Sequence, residues 1–353
     1  MSKQRKNITR RGFIKNGIRG AGFVGLGGAL GFAANRFLSD TKNKKPNSIR
    51  DISTYDLTYD LSPFSKVDPS LIQYEEAGKI KTRFQTLRGI AVGSENRIYL
   101  AADKTIRVYN SDTTFLSEIK LNDSPRCLTV TDDGTLYVGL KNRVEVYNPK
   151  GVCEVNWDSL DSNAVLTSIT VSGKDVFVAD AGNRTVLRYD AFGKLARRIG
   201  KKDEDRNIPG FVVPSPYFDL AVAPDGLLRI ANPGQHRVEA YTFDGDFEFS
   251  WGKVSMDIDG FCGCCNPVNF AMLPDGRFVT CEKGLPRVKT YDADGTFSGV
   301  VAGPETFTGN ESACNLEGLS NCQKGGLDVA VDSQGRVLVM DPIERSVRIF
   351  TKI

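Results

Sequence analysis

Six of the eight cysteines of this chain fall between residues 262 and 322. Three of them stand almost side by side in residues 261–267, which read FCGCCNP. Cysteine thiolates ligate zinc, other soft metals and iron–sulfur clusters, and closely spaced cysteines in loops commonly supply such ligands. We therefore predict a cofactor or metal site that draws on this set: Cys262, Cys264, Cys265, Cys281, Cys314 and Cys322.

Two kinds of chemistry are open to these cysteines. Four of them could hold an iron–sulfur cluster or another metal for electron transfer. Alternatively, they could form disulfides, which are typical of oxidising compartments and would staple the loops of a protein- or ligand-binding scaffold. Neighbouring Cys264 and Cys265 are not expected to pair with each other without backbone strain. Packing as small apolar side chains is disfavoured, because loops rich in Gly, Asn and Ser offer no core to fill.

A second candidate site uses oxygen ligands. Asp219, Asn269 and Asp328 each stand immediately before a short apolar run. Such a set could bind Ca²⁺ and support a lactonase-like hydrolysis, in which the metal polarises a carbonyl and activates water. The alternative is that these side chains hydrogen-bond between neighbouring elements. Glu282, which follows Cys281, could contribute to either site.

Histidine chemistry is limited by number. His236 is the only histidine, which excludes sites that need two or three imidazoles, and we predict a structural role for it. Arg143, Arg237 and Arg287 recur at one position of a repeat, which indicates packing and salt links between repeats rather than a unique site. The sequence contains no glycine-rich phosphate loop, nucleophile elbow or catalytic triad, so it identifies no catalytic residue.

The elements that must position these residues come from that repeat. From residue 87 onward one unit recurs: two apolar runs joined by a turn, a polar loop, a run ending in an aromatic residue, a turn and a last run. Turns such as Asp133-Gly134 and Asp275-Gly276 favour hairpins, because Asp and Gly tolerate positive φ. The aromatic residues of the six copies are Tyr109, Tyr147, Tyr189, Tyr241, Tyr291 and Phe350. Four short strands per copy predict an all-β, six-bladed β-propeller over residues 70–353.

Two segments of the repeat carry a family resemblance. Residues 178–184 (VADAGNR) and 236–241 (HRVEAY) resemble the NHL repeat, and the resemblance covers residues 87–353. It implies a six-bladed propeller of the NHL type. The family includes lyases, lactonase relatives and binding scaffolds, so the resemblance implies a fold rather than an activity. Its lyase branch that depends on histidine-bound zinc is disfavoured by the single histidine.

Ring closure needs a strand from outside the repeats. The sixth copy stops at Ile353 with only three strands, which would leave an open sheet edge. Residues 70–76, with Leu71, Ile72 and Tyr74, precede the first repeat and could supply the outer strand. We therefore predict that an N-terminal strand closes the last blade.

Blade topology predicts where the candidate residues meet. The four strands of a blade, called a to d in chain order, alternate in direction. The loops between strands b and c and the connections from strand d to strand a of the next blade therefore share one face, the upper face. Three long insertions, residues 201–216, 254–266 and 304–325, are d-to-a connections on this face, where binding sites commonly lie. The six clustered cysteines belong to it as well. The channel mouth on this face is predicted to be ringed by Gly89, Cys127, Ser168, Asp219, Asn269 and Asp328.

The N-terminus carries a targeting pattern. Residues 9–15 (TRRGFIK), with Arg10 and Arg11, closely resemble the twin-arginine motif, and residues 20–34 are an uncharged run with six glycines. This run is shorter and less apolar than the ~20 residues of a membrane span. We predict a signal peptide over residues 1–39, a polar linker over 40–69, and a periplasmic or extracytoplasmic protein. An uncleaved N-terminal membrane anchor is the alternative.

The distribution of charge excludes one class of partner. The net charge is +3, but residues 1–40 hold eight basic residues and one acid, so the remainder has 38 basic and 42 acidic residues. A mildly acidic body lacks the basic surface that nucleic acid requires. We expect a protein redox or binding partner on the upper face instead.

Overall fold

A computed structural model describes residues 62–307 and 326–353 of the chain. In these two ranges the protein is a six-bladed β-propeller, with six antiparallel four-stranded sheets and a few short 3₁₀ turns. The predicted fold class is confirmed. The 3₁₀ turns are Ser62–Phe64, Pro69–Leu71, Ser94–Asn96, Pro233–Gln235 and Pro304–Thr306. No helix in the described ranges has the length and apolarity that crossing a membrane would require.

The first three blades follow one another along the chain. Blade 1 consists of β2 (Leu87–Val92), β3 (Ile98–Ala102), β4 (Thr105–Tyr109) and β5 (Phe115–Lys120). Blade 2 consists of β6 (Cys127–Val130), β7 (Leu136–Gly139), β8 (Val144–Tyr147) and β9 (Cys153–Asn156). Blade 3 consists of β10 (Leu166–Ser172), β11 (Asp175–Asp180), β12 (Thr185–Asp190) and β13 (Leu195–Ile199).

The last three blades complete the ring. Blade 4 consists of β14 (Leu220–Val222), β15 (Leu228–Asn232), β16 (Arg237–Tyr241) and β17 (Phe247–Trp251). Blade 5 consists of β18 (Asn269–Met272), β19 (Phe278–Cys281), β20 (Val288–Tyr291) and β21 (Phe297–Ala302). Blade 6 consists of β22 (Asp328–Val331), β23 (Val337–Asp341), β24 (Ser346–Lys352) and the N-terminal β1 (Tyr74–Lys81).

The strand closing the ring is β1, as predicted, but it lies further along the chain than residues 70–76. It pairs antiparallel with β24, from Tyr74 opposite Lys352 to Lys81 opposite Ser346. Residues 69–71 instead form a 3₁₀ turn, because the carboxylate of Asp68 accepts a 2.9 Å hydrogen bond from the backbone N–H of Ser70. Val67, inside the predicted linker, is buried, so the end of that segment packs on the propeller.

Burial within each blade changes from the inside outwards. The second strands, such as β3 and β15, are buried along their whole length, whereas outer strands such as β5 are largely exposed. Tight turns such as those at Gly134 and Gly276, with φ of 83° and 85°, use the left-handed region that glycine tolerates. The six first strands contact one another in sequence, with β22 against β2, and surround a central channel.

Candidate functional site

The central channel contains a cavity of about 850 Å³. All six residues predicted to ring its upper mouth line this cavity: Gly89, Cys127, Ser168, Asp219, Asn269 and Asp328. All six lie within two residues of the start of the first strand of their blade. The repeat therefore places one of these residues per blade at a similar height in the channel. The ring therefore combines polar side chains from blades 3 to 6 with Gly89 of blade 1 and the buried Cys127 of blade 2.

The oxygen set at the mouth forms hydrogen bonds between blades. Asp219 accepts bonds from the backbone N–H of its neighbour Leu220 at 2.9 Å and of Phe270 in blade 5 at 2.8 Å. Asp328 accepts one from Ile90 in blade 1 at 3.2 Å. Asn269 donates its amide to the carbonyl of Leu327 at 2.7 Å. These contacts support the inter-blade role, and calcium binding by the same set stays a prediction.

Burial makes both carboxyl groups hard to ionise. It raises the pKa of Asp219 to about 6, although hydrogen bonds from Ser168 and two backbone N–H groups oppose the shift. It raises the pKa of Asp328 to about 7, and the charge of Asp219 adds to that effect. The mouth therefore holds two carboxyl groups that take up protons near neutral pH.

Two arginines at the mouth were not identified from the sequence. Arg88 and Arg126 both line the cavity, each one residue before the ring position of its blade. Enclosure in the mouth, and then repulsion from Arg126, lower the pKa of Arg88. In the described ranges neither guanidinium makes a hydrogen bond or an ion pair. Their shared repeat position was a signal that alignment of the six copies could have revealed.

A tyrosine and a lysine connect the mouth to the cysteine-rich loop. Tyr217 lines the cavity, and its hydroxyl accepts a 3.1 Å hydrogen bond from the backbone N–H of Gly326. The buried Lys283 donates to the hydroxyl of Ser215 at 3.1 Å, and its ammonium lies 4.9 Å from the centre of the Tyr217 ring. The first insertion thus meets the b–c loop of blade 5, which in turn bonds to Asn266 of the second insertion through the backbone of Lys283.

The predicted cysteine site is only partly assembled by the described residues. Cys264 and Cys265 are brought together, with their sulfurs 3.2 Å apart, and Cys264 is exposed whereas Cys265 is buried. Cys262 is buried behind them, and burial followed by the charge of Glu282 raises the pKa of its thiol to about 12. Cys314 and Cys322 lie outside the described residues.

Cys281 has a different environment from the loop cysteines. It is fully buried at the end of β19, in an apolar cluster between blades 5 and 6 that includes Val268 and Leu327. Burial raises the pKa of its thiol far above the ordinary value. It therefore packs as a small apolar side chain, the role that the sequence had disfavoured, and Cys127 is likewise buried in a cluster between blades 2 and 3.

The described thiols do not by themselves form a four-cysteine ligand set. Among the described residues no three His, Cys, Asp or Glu side chains are arranged to hold a metal ion. An iron–sulfur cluster needs four cysteine ligands, and only the sulfurs of Cys264 and Cys265 approach each other closely here. No disulfide joins the cysteines of the described ranges. The cluster and the disulfides both stay predictions.

Two side chains fix the backbone of the cysteine loop on either side of this pair. Nε2 of His236, on the b–c loop of blade 4, donates to the carbonyl of Gly263 at 2.7 Å. The amide of Asn266 donates to the carbonyls of Cys262 and Lys283 at 2.7 and 3.0 Å. These contacts support the structural role predicted for His236. In the register it corresponds to Arg184 of blade 3, and both adopt positive φ.

A buried ionic cluster bonds to the backbone of the second insertion, residues 254–266. Glu282 pairs with Arg287 at 2.6 Å and with Lys289 at 2.9 Å, and all three are nearly inaccessible to solvent. Glu282 also accepts the backbone N–H of Cys262 at 2.9 Å, while Arg287 donates to the carbonyl of Met256 at 2.9 Å. Burial alone would raise the pKa of Glu282, but the two cations outweigh it and lower the pKa.

The arginines at the repeated position form salt links within their own blades. Arg143 pairs with Glu145 at 3.0 Å, and Arg237 pairs with Glu239 at 2.6 Å. Each glutamate also accepts a bond from the hydroxyl of the blade's aromatic residue, Tyr147 or Tyr241. In blade 5 a lysine replaces the glutamate, and the carboxylate comes from Glu282 instead. The prediction that these arginines make salt links is supported, although the shorter links lie within a blade and only Arg143 also approaches a connection between blades, at 3.9 Å from Asp123.

The comparisons with known proteins bear on the fold. No protein-family model matches the sequence, and no curated protein matches it. A virginiamycin B lyase from Staphylococcus aureus is similar in structure, with a TM-score of 0.55 and 14% identity over 80% of this chain and 100% of that one. The WD40 propeller domain of Doa1 has a TM-score of 0.53 and 16% identity over 79% and 97% of the two chains.

A third solved structure is of a Bacteroides thetaiotaomicron protein of unknown function. It has a TM-score of 0.56 and 14% identity, covering 79% of this chain and 72% of that one. At such low identity these likenesses concern the fold alone. The chain is a six-bladed β-propeller similar in structure to propellers of several kinds, and its resemblance to the NHL repeat stays a prediction.

Proposed function

We propose that the protein is an exported binding propeller that recognises a small molecule carrying a carboxylate or phosphate group at the upper mouth of its channel. One observation carries this proposal. Arg88 and Arg126 line the same cavity without a hydrogen bond or ion pair to any described residue. Two cations held in one mouth repel each other, and an anion between them would remove that cost.

The rest of the mouth suits a small polar ligand. A cavity of about 850 Å³ is within the range of ~300–1,000 Å³ typical of small-molecule sites. The guanidinium groups would bind an anionic group bidentately, and the hydroxyl of Thr167 and the ring of Tyr217 line the same cavity. The lyase activity named for the Staphylococcus aureus neighbour gains no support, because His236 is not among the lining residues.

Titration calorimetry with a panel of citrate, succinate and inorganic phosphate tests the proposal. Charged hydrogen bonds contribute ~1.5–3 kcal/mol each, so Arg88→Gln or Arg126→Gln should weaken binding about tenfold or more. Arg97→Gln, in the a–b turn on the opposite face of blade 1, is the matched control and should bind as the wild type does. Binding that survives the double substitution, or a panel that does not bind at all, would contradict the proposal.

Export in folded form is part of the proposal and rests on the twin-arginine pattern of the sequence. Replacing Arg10 and Arg11 by lysine should leave the precursor in the cytoplasm, because that route recognises the arginine pair. Cell fractionation with immunoblotting measures the distribution, and a Lys3→Arg, Lys6→Arg variant is the charge-preserving control. Unchanged export of the double lysine variant would exclude this route.

A thiolate-bound metal or iron–sulfur cluster that serves a protein redox partner is the second candidate. It is favoured by the three cysteines that the second insertion carries within four residues, Cys262, Cys264 and Cys265. Because the described residues do not complete a ligand set, we derive no electron-transfer step. Protein purified without oxygen would be brown, contain iron and sulfide, and bleach on reduction if the cluster is present; colourless, iron-free protein would exclude it.

A further inference from the structure

The two adjacent cysteines of the upper face differ in access to solvent. The sulfurs of Cys264 and Cys265 are 3.2 Å apart, Cys264 is exposed, and Cys265 is buried. An exposed thiol can meet a molecule from solution, while a buried thiol beside it can react only with its neighbour. This is the arrangement of a thiol pair in which one thiol attacks an external disulfide and the other resolves the mixed disulfide that forms.

The loop around the pair is fixed on both sides but open at the pair itself. His236 fixes the carbonyl of Gly263, and Asn266 bonds to the backbone of Cys262 and Lys283, including a 2.9 Å bond from the N–H of Lys283. Gly263 has a φ of 73°, and only the amide of Asn266 lies within 4 Å of where its Cβ would be. The loop is therefore open on the side of Gly263, next to the exposed Cys264.

The two sulfurs stand closer together than two thiolates that share one tetrahedral metal. Two thiolates on a tetrahedral metal, each about 2.3 Å from it, would stand about 3.8 Å apart. The observed 3.2 Å is shorter, and no third ligand joins the pair within the described residues. A disulfide of about 2.05 Å requires the sulfurs to approach by little more than 1 Å.

We propose that Cys264 and Cys265 form a reversible dithiol–disulfide couple that reacts with low-molecular-weight disulfides at the edge of the channel mouth. The Cys264 thiolate attacks the external disulfide, forming a mixed disulfide and releasing one thiol. The Cys265 thiolate then attacks Sγ of Cys264, closing the ring and releasing the second thiol. The pair loses two electrons and two protons, and the external disulfide gains both.

Ring strain makes this couple reversible rather than structural. A disulfide between neighbouring residues constrains the peptide that joins them, and strained, exposed disulfides are the more easily reduced ones. The couple also lies near the channel, because Asn266, next to Cys265, bonds to the backbone of Lys283, whose ammonium is 4.9 Å from the ring of the lining residue Tyr217. The proposal does not rest on the anion site, since the reaction is defined by the two sulfurs alone.

The test is to incubate the full-length reduced protein with oxidised glutathione, block the remaining thiols with N-ethylmaleimide, and map the cysteines by mass spectrometry. Trypsin releases residues 254–277 as one peptide, which contains Cys262, Cys264 and Cys265. We expect this peptide to lose two hydrogens, with fragmentation locating the bond between Cys264 and Cys265, and dithiothreitol to reverse it. Cys265→Ser should stop at a glutathione adduct on Cys264, and Cys264→Ser should form neither adduct nor ring.

Three results would overturn the couple. They are a glutathione adduct on Cys264 that never closes in the wild type, a disulfide from either residue to another cysteine, and a bound metal that protects the pair from N-ethylmaleimide. Cys153→Ser, on the outer strand β9, is the control for general loss of thiols and should close the ring as the wild type does. Fragmentation of the wild-type peptide decides the matter even if a variant fails to fold.

Discussion

Asp219 and Asp328 accept hydrogen bonds from backbone N–H groups of other blades. Both lie at the channel mouth, where burial disfavours the charged form of a carboxyl group. At the mouth Asp219 is buried and Asp328 is partly buried, and each accepts a hydrogen bond from a neighbouring blade, at Phe270 and Ile90 respectively. The backbone bonds favour ionisation while burial opposes it, and burial prevails. The ring is therefore held together by groups whose charge state changes in the physiological pH range.

Asp328 should make stability depend on pH in an unusual direction. Its pKa rises from 3.8 to about 7 on folding, so between these values the folded state binds more protons and the stabilisation is lost as pH rises. Three pKa units correspond to about 4 kcal/mol, an upper limit for the loss between pH 4 and pH 8. Asp328→Asn should remove this loss, measured by urea unfolding across that range. Asp205→Asn, exposed on the first insertion, is the control, and a parallel pH profile for Asp328→Asn would contradict the prediction.

At the scale of elements, the second insertion is held by buried charges as well as by the packing of Phe261 in an apolar cluster. Arg287 and Lys289 reach from β20 and the loop before it to backbone carbonyls of residues 256–260, and Lys289 also lies 4.6 Å from the centre of the Phe261 ring. Glu282 is the one carboxylate that pairs with both among the described side chains. Burial lowers the pKa of Lys289 to about 8, despite the opposing effect of Glu282.

Glu282→Gln should therefore destabilise the protein strongly. The glutamine keeps the size of the side chain but leaves Arg287 and Lys289 buried without a counter-charge, which costs about 3–5 kcal/mol. Urea unfolding measures the loss, and Glu248→Gln on the exposed strand β17 should change stability by less than about 0.5 kcal/mol. Adding Lys289→Met to Glu282→Gln should recover part of the loss. A neutral Glu282→Gln would mean that solvent reaches the cluster.

The repeated elements could be predicted because their pattern depends on local chemistry. Apolar runs, Asp-Gly turns and a recurring aromatic residue locate all six blades and the ring of residues at the mouth. Strand β1 was shifted because its middle, Glu75 to Lys79, is polar on an edge where only Tyr74 and Ile80 are buried. In blade 5, Lys289 stands where blades 2 and 4 have a glutamate, and Glu282 supplies the carboxylate instead. This substitution depends on tertiary contacts that spacing in the sequence does not reveal. Arg88 and Arg126 differ in this respect, because both stand one residue before the ring position of their blade, which an alignment of the copies could have revealed.

For the whole molecule, stability depends on joining the two ends of the folded chain. β1 supplies the outer strand of blade 6, and Tyr74 and Ile80 contribute to the apolar clusters on either side of that blade. Ion pairs from Lys79 to Glu344 at 2.6 Å and from Glu76 to Arg348 at 2.7 Å add specificity to this register. A propeller closed in this way cannot lose one blade edge without exposing β24 and loosening the ring.

Truncation should separate the closing strand from the segment before it. A chain beginning at Ser62 keeps β1 and should melt at the temperature of the full-length protein. A chain beginning at Thr82 lacks β1, and it should melt far lower or aggregate, because the backbone of β24 and the partners of Tyr74 and Ile80 become exposed. Differential scanning calorimetry compares the two, and a synthetic peptide of residues 62–81 added to the shorter chain should restore the higher melting temperature. The same peptide with Ile80→Asp is the matched control, since a charge cannot replace a side chain that is 5% exposed. Equal melting temperatures for the two truncated chains would show that closure by β1 contributes nothing to stability.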